Sequence, residues 1–78
     1  MKPAPVLTAV LMDLPVRAAT TRAMLAYGGT FVRRLADLLV VADTQNAASL
    51  VAAFPDVFAR YGPGSAPFEA VTRGEVPA

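Results

Sequence analysis

Apolar residues recur at helical spacing along most of the chain, and the residues between the sets are helix stops and starts. Val6, Leu7, Val10, Leu11 and Leu14 form the first set and predict a short helix over about 5–12. The run also suits a strand and is too short to decide on its own; the helical spacing is favoured. Asp13-Leu14-Pro15 breaks it, because proline lacks the N–H for the ladder and drives the residue before it out of the α region. Pro15 then suits the first turn of a second helix, with Asp13 or Leu14 near its cap. The inward stripe of that helix is Val16, Ala19, Ala23, Met24 and Tyr27, mostly small, which permits close approach of a neighbour. Arg17 and Arg22 leave it for solvent.

Gly28-Gly29 is expected to end the second helix through a left-handed residue, and Thr30 to cap the third through its hydroxyl. The third helix, about 30–42, places Phe31, Leu35, Leu38 and Ala42 on one stripe with Val32 and Leu39 beside it. Val40 and Val41 fit no polar face, so one of them is expected to be exposed or covered by a partner. Asp43 restarts the chain, its carboxylate placed to accept the N–H of Gln45 or Asn46. Ala47, Leu50, Val51, Phe54, Val57, Phe58 and Tyr61 then keep one helical phase through Pro55. That phase predicts a kinked helix, or two stacked pieces with Pro55 in the first turn of the second. Asp56 and Arg60 form an expected i, i+4 pair worth a few tenths of a kcal/mol. Gly62-Pro63-Gly64 is a stop.

These elements predict an all-α fold: three to four short helices built on a central helical hairpin between Tyr27 and Pro63. Residues 1–62 make the helical domain, and 63–78 a Pro/Gly-rich tail, extended or disordered, with Phe68 and then Val71 available to pin it back. At 78 residues the chain is one small domain with a small core. It holds no cysteine and no histidine, which excludes disulfides and the usual zinc and iron sites. Yet 55% of it is hydrophobic, with a mean hydropathy of +0.48, more than a small monomer needs even after discounting alanine. Self-association or a partner surface is the expected use of that excess. Lys2 and the apolar run to Met12 resemble a signal peptide only faintly, since Asp13 cuts the run short, and no stretch is long enough to span a bilayer. A cytoplasmic protein is therefore expected.

Net charge is +1, so no global field points to nucleic acid or anionic membrane. The charge is uneven, however: Arg17, Arg22, Arg33 and Arg34 lie in a stretch free of acids between Asp13 and Asp37. Catalysis finds no kit. Asp13 and Asp43 are explained by helix starts and Asp37 and Asp56 by exposed faces, while Ser49 and Ser65 have no histidine base. No enzyme activity, metal or cofactor is expected. Gly28-Gly29-Thr30 followed by Arg33 and Arg34 is a weak anion-binding pattern, without P-loop spacing or a preceding strand, and reads first as an ordinary helix–helix turn. The arginines resemble those of a helix-turn-helix only in outline, because the helix after Gly29 is dominated by Leu and Val.

Gly28-Gly29-Thr30-Phe31-Val32, with Leu35-Ala36, Ala42-Asp43, Asn46, Leu50, Ala53-Phe54-Pro55-Asp56 and Tyr61, resembles a group of short phage and prophage proteins. The resemblance covers roughly residues 27–62 and carries over no site residues. What it implies is context, a small protein of a virus or mobile element. Stoichiometric binding to a host or defence protein, as an anti-CRISPR-like inhibitor binds, is the expected function. Nucleic-acid binding through Arg17, Arg22, Arg33 and Arg34 is the alternative, and a homodimer a further way to cover apolar surface. The candidate partner-binding residues are Arg17, Arg22, Tyr27, Arg33, Arg34, Val40 and Val41.

Overall fold

Helix-stopping residues divide the chain much as the sequence predicts, and a computed structural model describes it over residues 3–75. Among these residues all regular structure is helical: α1 (Pro3–Leu11), α2 (Leu14–Tyr27), α3 (Thr30–Val41), α4 (Thr44–Ala53), α5 (Pro55–Tyr61) and α6 (Ala66–Thr72). The 5–12 segment is thus helix and not strand. Asp13 is the N-cap of α2, extended at φ −72°, ψ 118°, and Pro15 sits in the first turn. Asp43 caps α4, its Oδ1 accepting the Asn46 N–H at 2.8 Å. At Pro55 the chain takes the second of the two expected forms. Phe54, at φ −130°, ψ 56°, separates α4 from α5, and the Phe58 N–H rejoins the ladder by donating to the Phe54 carbonyl at 3.2 Å. The phase survives the break: Val51, Val57 and Phe58 are all buried.

The centre of the fold is not the expected hairpin of α3 and α4. α3 packs along α2, and α4 turns away to pack against α1. α2 is the hub, packing most extensively against α3 and α6 and touching α1 and α5 as well. Gly28 makes the α2–α3 hairpin possible. A Cβ at Gly28 would collide with the Val32 side chain and sit 2.6 Å from the Met24 carbonyl oxygen, so only glycine lets α3 fold back so tightly. The conformation is not the left-handed one expected: Gly28 has φ −85° and Gly29 φ −80°. Gly29, not Thr30, is the N-cap of α3, and Thr30 is its first helical residue.

Lying on α2 also sets which face of α3 goes inward. Val32, Leu35, Ala36 and Leu39 are buried, whereas Phe31 and Leu38, expected on the inward stripe, are 58% and 53% exposed. The inner set still has i, i+3, i+4, i+7 spacing; it is rotated from the predicted stripe because α2, not α4, is the neighbour.

The tail differs too. Gly64 takes the left-handed conformation at φ +90°. Ser65 then donates its hydroxyl to the Gly62 carbonyl at 2.6 Å and accepts the Phe68 N–H at 3.3 Å, capping α6. Pro67 falls in the first turn, where it is tolerated. Ala70 and Val71 are buried, Val71 packing with Ala19 and Ala23 of α2 while Phe68 is only partly covered. Residues 66–72 are therefore a helix docked on the domain and not extended chain; Pro77 lies outside the described residues. Arg73 and Glu75 close this end with a two-pronged ion pair at 3.0 and 3.2 Å, and the Arg73 hydrogen bond holds the Glu75 carboxyl below the usual range. The other ion pair among the described residues is Arg34–Asp37 at 3.6 Å; Asp56 and Arg60 do not form the expected one.

The core has two parts. Leu11, Met24, Leu35, Leu39, Val51 and Phe58 anchor the larger one, and Ala19, Ala23 and Val71 the smaller. Tyr61 packs against both. The Cα radius of gyration of 11.4 Å matches the ~11.5 Å expected for a folded chain of this length. No helix of the described residues is long and apolar enough to cross a membrane.

Candidate interaction surface

The face of α2 turned away from α6 carries Leu14, Arg17, Ala18, Thr21, Arg22 and Leu25. Leu14, Ala18, Arg22 and Leu25 recur at i, i+4, i+8, i+11, one stripe of a helix. Because α3 runs back along α2, its C-terminal end meets the start of α2 and its N-terminal end meets the end of α2. Two grooves follow this seam. The first, about 410 Å³, is lined by Leu14, Arg17, Ala18, Thr21 and Arg22 of α2 with Leu39, Val40 and Ala42 opposite. The second, about 230 Å³, begins one turn further along α2 at Leu25 and is walled by Thr30, Arg33, Arg34 and Asp37.

The seam collects five of the seven candidate residues: Arg17, Arg22 and Val40 in the first groove, Arg33 and Arg34 in the second. Its electrostatics are one-sided. Arg34 has Asp37 at 3.6 Å; Arg17, Arg22 and Arg33 form no ion pair with a described residue. Arg17 is half-buried, and its backbone carbonyl accepts the Thr21 hydroxyl at 2.8 Å, which leaves the guanidiniums of Arg17 and Arg22 as the charged groups of the groove. Asp13 and Asp43, next in sequence to Leu14 and Ala42, do not line the first groove, and Asp43 is committed to its cap.

Val41 and Tyr27 are not on the seam. Val41, 80% exposed, lines a third groove of about 440 Å³ between α3 and α4, with Leu38, Ala42, Asn46, Ser49, Leu50 and Ala53. This groove is the space left where the expected α3–α4 hairpin does not close. It is uncharged. Tyr27 is exposed at the end of α2 and lines none of the three grooves. Val40 is 65% exposed, so both valines reach solvent where the sequence required only one to do so.

Leu14 and Leu25 were missed from the sequence, at 68% and 40% exposure. The signal that finds them is the second α2 stripe: a helix with small residues on one face and leucines plus arginines on the other buries the small face. No family model, curated protein or solved structure matches the chain.

Proposed function

We propose that the chain is a small non-catalytic protein that acts by stoichiometric binding to another protein. The observation that carries this is the end of α3. Val40 and Val41 stand 65% and 80% exposed, side by side, on a helix whose opposite face is fully buried, and each lines its own groove. Arg17 and Arg22 line the groove of Val40, and arginine is among the residues that protein interfaces concentrate. The resemblance of residues 27–62 to short phage proteins supports a source in a virus or mobile element. The target is then a host or defence protein met in the host cytoplasm, and the effect is inhibition by occupancy.

The test is affinity capture from a bacterial lysate with the wild-type chain and with Val40→Gln/Val41→Gln side by side. Glutamine keeps helix propensity and removes apolar surface, so circular dichroism is expected to be unchanged. A protein retained by wild type and lost from the variant supports the proposal; identical retention by both, or nothing specific on either, rejects it. Light scattering on the free protein separates the competing use of the same valines, a homodimer.

Nucleic-acid binding is a second reading, favoured by the unpaired Arg17, Arg22 and Arg33 on one seam. Leu14 and Val40 between those arginines count against it. It requires a mobility shift at low salt that Arg33→Ala/Arg34→Ala abolishes and that weakens steeply as salt rises.

A further inference from the structure

We infer that the partner element recognised by the α2–α3 seam is an acidic amphipathic helix. This rests on the protein-binding reading above and adds the chemistry of what binds. The two grooves run end to end from Leu14 to Leu25, about 17 Å along α2, the length of roughly three helical turns. A helix laid along this seam completes a three-helix layer, with α2 and α3 as the other two members. That is the groove-type recognition in which an amphipathic helix seats its apolar stripe and leaves its polar flanks at the rim.

The lining fixes the pattern required of the occupant. At the Leu14 end the floor is apolar, formed by Leu39, Val40 and Ala18, and it takes aliphatic or aromatic side chains one turn apart. Along the rim stand Arg17 and Arg22, five residues or about 7.5 Å apart on the axis, and then Arg33. None of these three forms an ion pair with a described residue, and Asp37, the one acid lining the two grooves, is already paired with Arg34. The groove linings therefore carry four cations against one anion, with Asp13 and Asp43 outside them at the Leu14 end. Desolvating three guanidiniums under an apolar or basic helix would be costly, whereas carboxylates along the flank of an acidic helix pair with them in the planar two-pronged geometry arginine favours. The neutral α3–α4 groove offers no such discrimination.

The experiment uses the full chain and three fluorescent probes at low salt: a four-turn peptide with a leucine stripe flanked by glutamates, the same peptide with lysines for glutamates, and a short DNA duplex. The glutamate peptide is expected to bind at least about tenfold more tightly than the lysine peptide. Arg17→Glu/Arg22→Glu is expected to invert that preference, while Arg60→Glu on α5, which lines neither groove, leaves it alone. Raising salt weakens the glutamate peptide's binding severalfold. Equal affinity for both peptides, no binding by either, or an unchanged preference in the double variant overturns the inference, as does a duplex that binds more tightly than the glutamate peptide. A capture that depends on Val40 and Val41 but without this charge preference leaves protein binding standing and removes the acidic partner. Loss of both outcomes removes both.

Discussion

α2 and α3 are neighbours in sequence and pack along each other, yet their surfaces are treated in opposite ways. α2 presents small side chains, Ala19, Thr20, Thr21 and Ala23, and all of them are buried. α3 carries Phe31, Leu38, Val40 and Val41, and all of them are exposed. Side-chain size does not decide which helix is central; what comes to lie on it does. Small residues let α6 approach α2 closely while α3 packs along it, so the inner face of α2 is enclosed and the Leu14–Leu25 stripe stays open. α3 receives α2 on one face, and α4 leaves it for α1, so the rest of α3 stays open. A chain that leaves Phe31, Leu38, Val40 and Val41 exposed on one helix has kept apolar surface beyond what its own folding uses.

The largest expected effect comes from one residue type placed on either side of this contrast. Phe58 is wholly buried in the larger core, and Phe31 is 58% exposed, touching Phe54 edge-on at 5.6 Å between ring centroids. Phe58→Ala is expected to cost about 3–5 kcal/mol, from lost transfer energy and the cavity left behind. Against a total of roughly 4–12 kcal/mol for a chain of this length, much of the population unfolds. Phe31→Ala is expected to cost about 1 kcal/mol or less, the worth of the edge-on pair. Urea denaturation of both variants measures the difference. Equal losses would mean that the outer face of α3 is already covered in the free protein, and the contrast between the two helices would collapse.

A second, smaller effect tests the turn that joins them. Gly28→Ala is expected to destabilise by about 1–3 kcal/mol, because its Cβ has nowhere to go between Val32 and the Met24 carbonyl. Gly29, one residue on, is the N-cap of α3, and a Cβ there would meet nothing within 4 Å. Gly29→Ser is expected to stabilise by about 0.5–1 kcal/mol, adding a capping hydroxyl and removing unfolded-state freedom. Opposite signs at adjacent glycines, read from thermal melts, would fix close approach as the role of the first. A neutral Gly28→Ala would show that α3 can stand off from α2, and the seam with its grooves would then be adjustable.

Both positions show what the sequence does and does not reveal. The breaks at Asp13–Pro15, Gly28–Gly29, Asp43 and Pro55 are local chemistry, and each falls where turn and cap residues place it. The handedness of Gly28 is not legible, because the glycine is required by Val32 and Met24 across the turn and not by its own φ. α6 was hidden for a related reason. Seven residues bordered by prolines show no usable period, and their helix depends on the Ser65 cap and on Val71 meeting Ala19 and Ala23. At the surface, the arginines were legible as an acid-free run, and the hairpin gathers four of them on one seam. Leu14 and Leu25 were not, because the second stripe of α2 gains meaning only once α6 is known to cover the first.

The finest probe of the enclosure of α2 is a pair of adjacent threonines. Thr20 is fully buried and its Oγ1 has no hydrogen-bond partner among the described residues, whereas the Thr21 hydroxyl donates to the Arg17 carbonyl at 2.8 Å. An unpaired buried hydroxyl carries a desolvation cost of about 1–3 kcal/mol, which valine, its near-isostere, does not. Thr20→Val is therefore expected to stabilise by about 1 kcal/mol and raise Tm by about 4–8 °C for a domain of this size. Thr21→Val is expected to cost about 0.5–1 kcal/mol, since it gives up a formed bond while the Arg17 carbonyl keeps its backbone partner in the helix. Thr30, exposed on α3, has no enclosure to escape, so Thr30→Val is expected to bring no gain. The sign at Thr20 decides how dry the hub is. A gain there and none at Thr30 means that the inner face of α2 is sealed by the helices around it while the outer face of α3 is open to solvent and to whatever binds. A loss at Thr20 would mean that its hydroxyl finds a partner in solution, so water reaches the interior of α2 and the two helices differ less than their packing suggests.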